Sequence, residues 1–225
     1  MNWDQLLSIT KQLGQGFEFT VGIFFFTILF SIPLGLLIAR GRMAKNPVVS
    51  AIFSIYISIM RGTPLMLQLL LVYFGPYYIF GVSTGSIEIG PFNYRFVATV
   101  IGFSLNYAAY FAEIFRGGIQ SMPNGQYEAA QVLGFSKMQT YFKIILPQVI
   151  KRVLPSVTNE VITLVKDTSL AQVLSVTEMF TVAKNLASAQ VSVMPFIVAG
   201  VFYYVFNALV EFGMNRLEKS MSYYS

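Results

Sequence analysis

The sequence predicts an all-α membrane protein, and three observations support this fold class. Of the 225 residues, 55% are hydrophobic and only 11% are charged, whereas about 25% of residues are charged in soluble domains. The mean hydropathy is +0.63. The apolar residues fall into five runs, and most positive charges follow every second run. We therefore expect five transmembrane helices in a single domain that spans residues 1–225.

The five apolar runs are near the roughly 20 residues that a helix needs to cross a bilayer, except the fourth. The second run is interrupted by residues 61–64 (Arg-Gly-Thr-Pro), so its helix is expected to begin near Leu65. Residues 81–94 are expected to form a short external loop rich in glycine and serine. The runs are Phe17–Ala39, Ala51–Phe80, Phe96–Phe115, Val153–Val165 continued by Leu170–Val176, and Pro195–Leu217.

The orientation follows from the distribution of lysine and arginine. Ten of the 15 basic residues fall in three groups that share one side of a five-span topology. Basic residues are concentrated on the cytoplasmic side of membrane proteins. The N-terminus is therefore expected outside and the C-terminus inside. The three groups are Arg40, Arg42 and Lys45; Arg116, Lys137, Lys143, Lys151 and Arg152; and Arg216 and Lys219.

The residue types that are missing exclude several function classes. The chain has no cysteine and no histidine, which excludes disulfides, zinc fingers, haem ligation by histidine and nucleophiles activated by histidine. No metal site is expected. The sequence also lacks a glycine-rich phosphate loop that ends in Lys-Ser or Lys-Thr, and no pair of intramembrane carboxylates suggests acid–base catalysis. We therefore expect no enzymatic activity and no catalytic residues in this chain.

The longest polar stretch, about residues 121–147, predicts a cytoplasmic elbow of two short helices around a glycine. Ser121 is expected to cap the first helix, with Pro123 in its first turn. Gly134 permits a left-handed backbone between the helices. The second helix is expected to run from Ser136 to about Ile145 and to end at Pro147.

This segment resembles the EAA loop of the permease subunits of bacterial ABC importers. The pattern of that loop is Glu-Ala-Ala, three residues, Gly, nine residues, Ile, one residue and Leu-Pro. The resemblance implies that the elbow docks into a cleft of an ATP-binding subunit and couples ATP hydrolysis to transport. The matching residues are Glu128, Ala129, Ala130, Gly134, Ile144, Leu146 and Pro147.

Further segments resemble the branch of these permeases that carries polar amino acids. They are residues 61–65, 110–119, 121–130, 159–160 and 166–170. The resemblance implies a permease subunit of an ATP-driven importer for a polar L-amino acid, multi-pass in the bacterial inner or plasma membrane. A permease for another small polar solute and a non-transporting scaffold are the alternatives.

The same resemblance implies a set of partners and no cofactor in this chain. The expected partners are separate ATP-binding subunits, which hold ATP and Mg²⁺, and an extracytoplasmic amino-acid-binding protein. A second permease copy or a sister permease completes a dimer. No nucleic acid is expected among the ligands.

Ionisable residues at membrane depth are costly and need a structural or functional reason. Glu113 and Arg116 are three residues apart, so they can pair on one helix face and anchor the elbow or form part of a gate. Lys166 and Asp167 are expected to interrupt the fourth span, where they either pair or line a midplane site. Arg61, at the interruption of the second span, is expected to have a structural role.

Glu160 is the candidate substrate-binding residue, because the sequence gives it no adjacent cation. A carboxylate there could bind the ammonium group of an amino acid, and Asn159, Thr163 or a helix end could donate to its carboxylate. Asn159, Thr163 and Lys166 are three to four residues apart and form one polar stripe. The alternative is a polar seam between subunits.

Asn106 and Gln68 are single polar residues in otherwise apolar helices. Both are candidate substrate-binding residues. The alternative is a hydrogen bond between helices, which would hold the helices together without a contact to the substrate.

Overall fold

The computed structural model describes residues 3–82, 88–89 and 92–221, and nearly all of this part of the chain is helical. A short π-helical segment at Thr140–Ile145 precedes α7, and a 3₁₀-helix at Thr168–Leu174 follows it. The α-helices are α1 (Trp3–Arg42), α2 (Pro47–Gly62), α3 (Leu65–Phe80), α4 (Tyr94–Gln120), α5 (Asn124–Val132), α6 (Lys137–Gln139), α7 (Leu146–Asp167), α8 (Met179–Gln190) and α9 (Met194–Ser220).

The centre of the fold is the long contact between α1 and α4. The buried side of α1 recurs every three or four residues, as in Thr27, Ser31 and Gly35, which is the spacing of one helix face. A Cβ atom on Gly35 would lie 2.8 Å from the Cβ atom of Phe111. The missing side chain therefore lets the two helices approach closely.

The first helix begins earlier than the sequence analysis predicted. The predicted span started at Phe17, whereas α1 starts at Trp3. Ile9, Leu13 and Gly16 are buried, and a Cβ atom on Gly16 would lie 2.9 Å from the Cα atom of Met179 in α8. Packing against α8 therefore extends the helix beyond the apolar run.

The second predicted span consists of two helices, α2 and α3, that are bent by 112°. The predicted break is confirmed. The chain is helical on both sides of it, since α2 continues up to Gly62 before the break and α3 follows it. Thr63 precedes Pro64 and has an extended backbone, with φ −119° and ψ 148°. A residue before proline is driven out of the helical region by steric clash, so the Thr63–Pro64 step separates the helices.

The α-helix of the fourth predicted span ends where Lys166 and Asp167 were expected to interrupt it, although both residues still belong to the helix. Helix α7 continues through both residues to Asp167, and the 3₁₀-helix follows directly. The Thr168 hydroxyl donates to the carbonyl of Val165, which satisfies one backbone acceptor at the point where the helix type changes. The 12-residue helix α8 was not predicted, since it is too short and too polar to resemble a span.

The loop predicted at residues 81–94 lies partly outside the described residues. Two short strands, β1 (Glu88–Ile89) and β2 (Phe92–Asn93), pair antiparallel, with Glu88 opposite Asn93 and Ile89 opposite Phe92. The side chain of Asn93 then caps α4 by accepting a hydrogen bond from the backbone N–H of Phe96 at 3.0 Å. The start of α4 is thereby fixed beside the hairpin.

Among the described residues, three helices are long and apolar enough to cross a membrane. They are α1, α4 and α9, and the bent pair of α2 and α3 makes four if it counts as one span. The predicted fourth span corresponds to α7, whose charged residues include Lys151, Arg152 and Glu160. The fold is therefore an all-helical multi-pass architecture, while the number of five spans stays a prediction.

Candidate functional site

The elbow between α4 and α7 has the glycine-centred bend that the sequence predicted. Helix α5 ends at Val132, and Gly134 follows with φ +76°, in the left-handed region. The backbone N–H groups of Gly134 and Phe135 donate to the carbonyls of Gln131 and Ala130. Ser136 then starts the next helix in a reciprocal capping box with Gln139, as is common at helix starts.

Two predictions about the ends of the elbow were wrong. Ser121 does not cap α5, because it ends α4, where its hydroxyl donates to the carbonyl of Gly118 at 2.8 Å. Pro147 does not end the second helix. It lies in the first turn of α7, where a missing N–H group is tolerated, and the π-helical segment leads into α7 without a break.

The elbow exposes most of its motif residues. Glu128 and Ala129 are exposed, whereas Ala130 is buried at 1% exposure. Ile144 and Leu146 are half-buried and Pro147 is exposed. The elbow also presents a set of large apolar side chains, which we call the elbow patch: Tyr127, Val132, Leu133, Met138 and Phe142.

Side-chain hydrogen bonds connect the elbow to α7. Arg152 donates to the backbone carbonyl and to the hydroxyl of Ser121. The side-chain nitrogen of Gln148 donates to the side-chain oxygen of Gln126 in α5, at 3.1 Å. The sequence analysis missed these contacts, since both pairs are more than 20 residues apart and no local pattern reveals them.

A second polar region lies around the middle of α4, where Asn106 and Gln68 meet. The amide nitrogen of Asn106 donates to the side-chain oxygen of Gln68 at 2.9 Å and to the carbonyl of Met60 at 3.0 Å. Gln68 donates to the carbonyls of Met60 and Thr63, and to the Thr63 hydroxyl. The predicted interhelical hydrogen bond is confirmed, and it satisfies backbone groups at the break between α2 and α3.

Tyr107 and Asp167 form a second contact near the middle of α4. The hydroxyl of Tyr107 donates to the Asp167 carboxylate at 2.7 Å. Among the residues that the structure describes, Lys166 makes no salt bridge with Asp167, and its side chain is exposed. The expected pairing of Lys166 with Asp167 was therefore wrong, because the tyrosine takes the place of the lysine.

Glu160 is half-buried on α7, and it lies near this contact. It lies about two helical turns before Asp167 on the same helix. Arg61 is exposed, and its guanidinium carbon lies 5.3 Å from the centre of the Tyr110 ring, within the range of a cation–π interaction. Residues of α2, α4 and α7 thus form one polar cluster beside the break between α2 and α3.

The predicted stripe of Asn159, Thr163 and Lys166 is exposed on the surface of α7. The hydroxyl of Thr163 donates to the backbone carbonyl of Asn159 at 2.8 Å. That donor is therefore engaged within its own helix. The predicted ion pair of Glu113 and Arg116 is confirmed, with two nitrogen–oxygen contacts of 3.0 and 2.6 Å.

The sequence analysis also missed Glu178, which is completely buried. Its carboxylate caps α8 by accepting from the backbone N–H groups of Phe180 and Thr181, both at 2.6 Å, and it accepts from the hydroxyl of Tyr203. A negative charge is favourable at the start of a helix, so a glutamate directly before a helical run is a sequence signal for such an interaction. The interaction joins α8 to α9 and has a structural role.

Comparison with known proteins identifies the family. Residues 31–223 match the family described as the inner membrane component of binding-protein-dependent transport systems. The chain belongs to this family. It is 34% identical over 223 residues to the probable amino-acid permease YxeN of Bacillus subtilis, covering 99% of this chain and 96% of the relative. It is 33% identical to the L-cystine transport system permease protein TcyB of the same organism, and the match covers 99% of this chain and 92% of that relative.

Solved structures have the same fold. A crystal structure of an amino acid ABC transporter with histidines matches this chain with a TM-score of 0.84 and 29% sequence identity. The match covers 98% of this chain and 99% of the chain in that structure. The methionine transporter MetNI, in an inward-facing conformation, has a TM-score of 0.70 over 99% of this chain. Its identity is only 17%, so it supports the fold alone.

Replacing Gly134 with valine is expected to distort the elbow. A left-handed backbone costs about 1–2 kcal/mol for a residue with a Cβ atom, and more for a β-branched one. A Cβ atom at Gly134 would meet nothing within 4 Å, so backbone strain is the expected cause. We expect Gly134→Val to lower transport and the stimulation of the ATP-binding subunit together, measured in reconstituted complexes.

Gly117→Val is the matched control, because Gly117 is helical, exposed and also free of neighbours within 4 Å. It should leave both rates near the wild-type values. Equal rates for the two variants would show that the left-handed bend has no part in coupling.

Proposed function

We propose that this chain is the transmembrane permease subunit of an ATP-driven importer for a polar L-amino acid. The observation that carries the proposal is the glycine-bent elbow with exposed apolar side chains, connected by α4 and α7 to the polar cluster of α2, α4 and α7. The permease names of the relatives agree with it. The chain would hold the gated path, while ATP and Mg²⁺ would bind to a partner subunit.

The elbow patch supports docking to an ATP-binding subunit. Val132 and Leu133 are 87% and 73% exposed in a segment that also carries the exposed Glu128. Apolar side chains grouped on a polar loop are typical of protein interaction sites. The hydrogen bonds of Arg152 and Gln148 would transmit a movement of the docked elbow to α7.

The polar cluster of α2, α4 and α7 supports a zwitterionic substrate. Glu160 is half-buried, and in the described part of the chain no cation lies within 4.0 Å of it. A carboxylate at membrane depth is disfavoured unless water, a partner or a ligand compensates for its lost hydration. We infer that Glu160 binds the ammonium group of the substrate, while Asn159 and Thr163 border the same path. Asn106 and Gln68 would stabilise the helices around this site through their hydrogen bonds.

We further propose five spans: α1, the bent pair of α2 and α3, α4, α7 with its 3₁₀ extension, and α9. The N-terminus would lie outside, because the basic groups would then all face the cytoplasm. The path would be formed by two permease subunits, either two copies of this chain or this chain and a sister permease. Two ATP-binding subunits and an extracytoplasmic binding protein would complete the importer.

Cysteine labelling tests this topology, and the chain contains no cysteine of its own. The exposed Ser8 near the N-terminus and the exposed Met138 in the elbow are suitable single sites. An impermeant maleimide should label Ser8→Cys on intact cells. It should label Met138→Cys only after the cells are lysed. Labelling of Met138→Cys from outside would contradict the orientation.

Substitution of Glu160 tests the substrate site. Glu160→Gln keeps the shape and removes the charge, so one charge-assisted hydrogen bond of about 1.5–3 kcal/mol is lost. Uptake of the substrate by proteoliposomes that contain the whole importer should show a Michaelis constant about ten- to a hundredfold higher, with basal ATP hydrolysis retained. Glu211→Gln, on the exposed part of α9, is the control and should transport normally. An unchanged Michaelis constant in Glu160→Gln would exclude Glu160 from the site.

A further inference from the structure

Helices α1 and α4 touch at two levels and stand apart between them. A Cβ atom on Gly22 would lie 3.2 Å from the ring of Phe96, and one on Gly35 would lie 2.8 Å from the Cβ atom of Phe111. Between these two contacts the helices border a cavity of about 470 Å³. The close contacts bound the cavity at both ends.

Packed aromatic rings form one wall of this cavity and hold it open. The rings of Phe92 and Phe96 stack with their centres 4.8 Å apart, and the ring of Phe26 meets that of Phe92 edge-on at 5.8 Å. Both geometries are favourable for aromatic pairs. Phe30 and Ile101 also line the cavity and are 47% and 44% exposed. The cavity therefore opens beside these two residues, toward the outer surface of α1 and α4.

The lining of the cavity favours an apolar occupant. Nine of the ten residues that line it are apolar, and the tenth is Ser104. The Ser104 hydroxyl has no hydrogen-bond partner among the described residues, and the residue is only 4% exposed. A buried water needs about two to four polar partners, which one hydroxyl does not supply. Apolar cavities of this kind stay dry and take up apolar ligands.

The size of the cavity favours one hydrocarbon chain over a helix of a second subunit. Helices α1 and α4 are both long and apolar enough to cross a membrane, so the opening would face lipid or a neighbouring subunit. The 13-residue step from Gly22 to Gly35 corresponds to about 20 Å of helix. A second helix about 10 Å wide would occupy roughly 1,500 Å³ over that length, far more than the cavity holds. A lipid chain is slender and spans about 15 Å in one leaflet, which fits that length.

We propose that the cavity between α1 and α4 binds one acyl chain of a membrane phospholipid. The chain supplies the packing contacts that the two helices lack between their points of contact. In the described part of the chain, no residue proposed to bind the substrate lines the cavity. The lipid site is therefore independent of the solute that the importer carries.

Photocrosslinking with a phospholipid tests this site. The permease is purified with its ATP-binding subunits and placed in nanodiscs of phosphatidylcholine, a small fraction of which carries a diazirine in one acyl chain. After illumination, mass spectrometry maps the lipid adducts. Phe30 and Ile101 report the cavity. Phe25 and Leu29 report the bilayer beside α1, since they are 57% and 50% exposed and do not line the cavity.

In the wild-type complex, adducts at Phe30 and Ile101 should outnumber those at Phe25 and Leu29, although the latter two are more exposed. Val97→Trp fills the cavity from its wall and should lower the adducts at Phe30 roughly tenfold, because a close-packed site has no room for both groups. Leu29→Trp is the matched control on the exposed side of α1, and it should leave the adducts at Phe30 unchanged.

Ser104→Ala distinguishes a hydrocarbon chain from a ligand that is held by a hydrogen bond. Covering an unpartnered hydroxyl is unfavourable, so the alanine variant should keep or raise the adducts at Phe30. A clear loss of adducts in Ser104→Ala would show that the occupant bonds to the hydroxyl, and the proposal would be overturned.

Adducts at Phe30 and Ile101 that are no more frequent than those at Phe25 and Leu29 would also overturn it, and would leave the cavity to side chains of a second permease subunit. Undiminished adducts at Phe30 in Val97→Trp would contradict it as well. If Val97→Trp does not assemble, Ile101→Trp takes its place at the exposed rim, with the same loss expected at Phe30.

Discussion

The hydrogen bonds of Gln68 and Asn106 at the break between α2 and α3 are the interaction on which the centre of this protein depends. The carbonyls of Met60 and Thr63 lie where the helical ladder is interrupted. Lipid offers no donors, so an interrupted backbone at membrane depth persists only where protein or water satisfies it. Two side-chain amides, both buried, supply these donors. The Thr63–Pro64 step separates the two helices, and these hydrogen bonds then hold α3 against α4 at the bend.

The ionisable residues around the break are stabilised in different ways. Arg116 neutralises Glu113, and Tyr107 donates to Asp167. Arg61 rests on an aromatic face, and Glu160 is left half-buried without a contacting cation among the described residues. The first two arrangements are closed, whereas Glu160 has no contacting cation in the described part of the chain. The difference separates residues that maintain the fold from those proposed to bind substrate.

Helices α4 and α7 connect this region to the elbow. Helix α4 carries Tyr107 and Tyr110 at its middle and ends at Gln120, and its C-cap Ser121 accepts hydrogen bonds from Arg152 of α7. Helix α7 carries Glu160 and Asp167 in its second half. A movement imposed on the elbow would therefore reach both sides of the polar cluster through two continuous helices.

Much of the fold was predictable where local sequence alone decides the structure. Gly134 marked the elbow because few other residues adopt a left-handed backbone, and the proline at position 64 marked the break in the second span. The errors at Ser121 and Pro147 have a common cause. Each residue is compatible with more than one position in a helix, and tertiary contacts select among them.

The candidate site was only partly predictable for the same reason. Glu160 was identifiable from its isolation in the sequence. Tyr107 and Tyr110 were not, because nothing local distinguishes them among 13 tyrosines. Their role depends on distant partners, because Asp167 lies 60 residues after Tyr107 and Arg61 lies 49 residues before Tyr110. Helix α8 and its buried cap Glu178 were missed because a 12-residue helix is too short to be recognised as a transmembrane helix in the sequence.

A distance measurement across the break tests most directly whether the two amides hold it. Spin labels on cysteines at Val48 and Tyr78 would report the bend, since both side chains are exposed and the chain has no other cysteine. A continuous helix would separate these positions by about 45 Å, and the 112° bend shortens this to roughly half. The account predicts the short distance in the wild-type chain and a longer, broader distribution in Gln68→Leu and Asn106→Leu. A wild-type distance near that of a continuous helix, or an unchanged short distance in both variants, would contradict it.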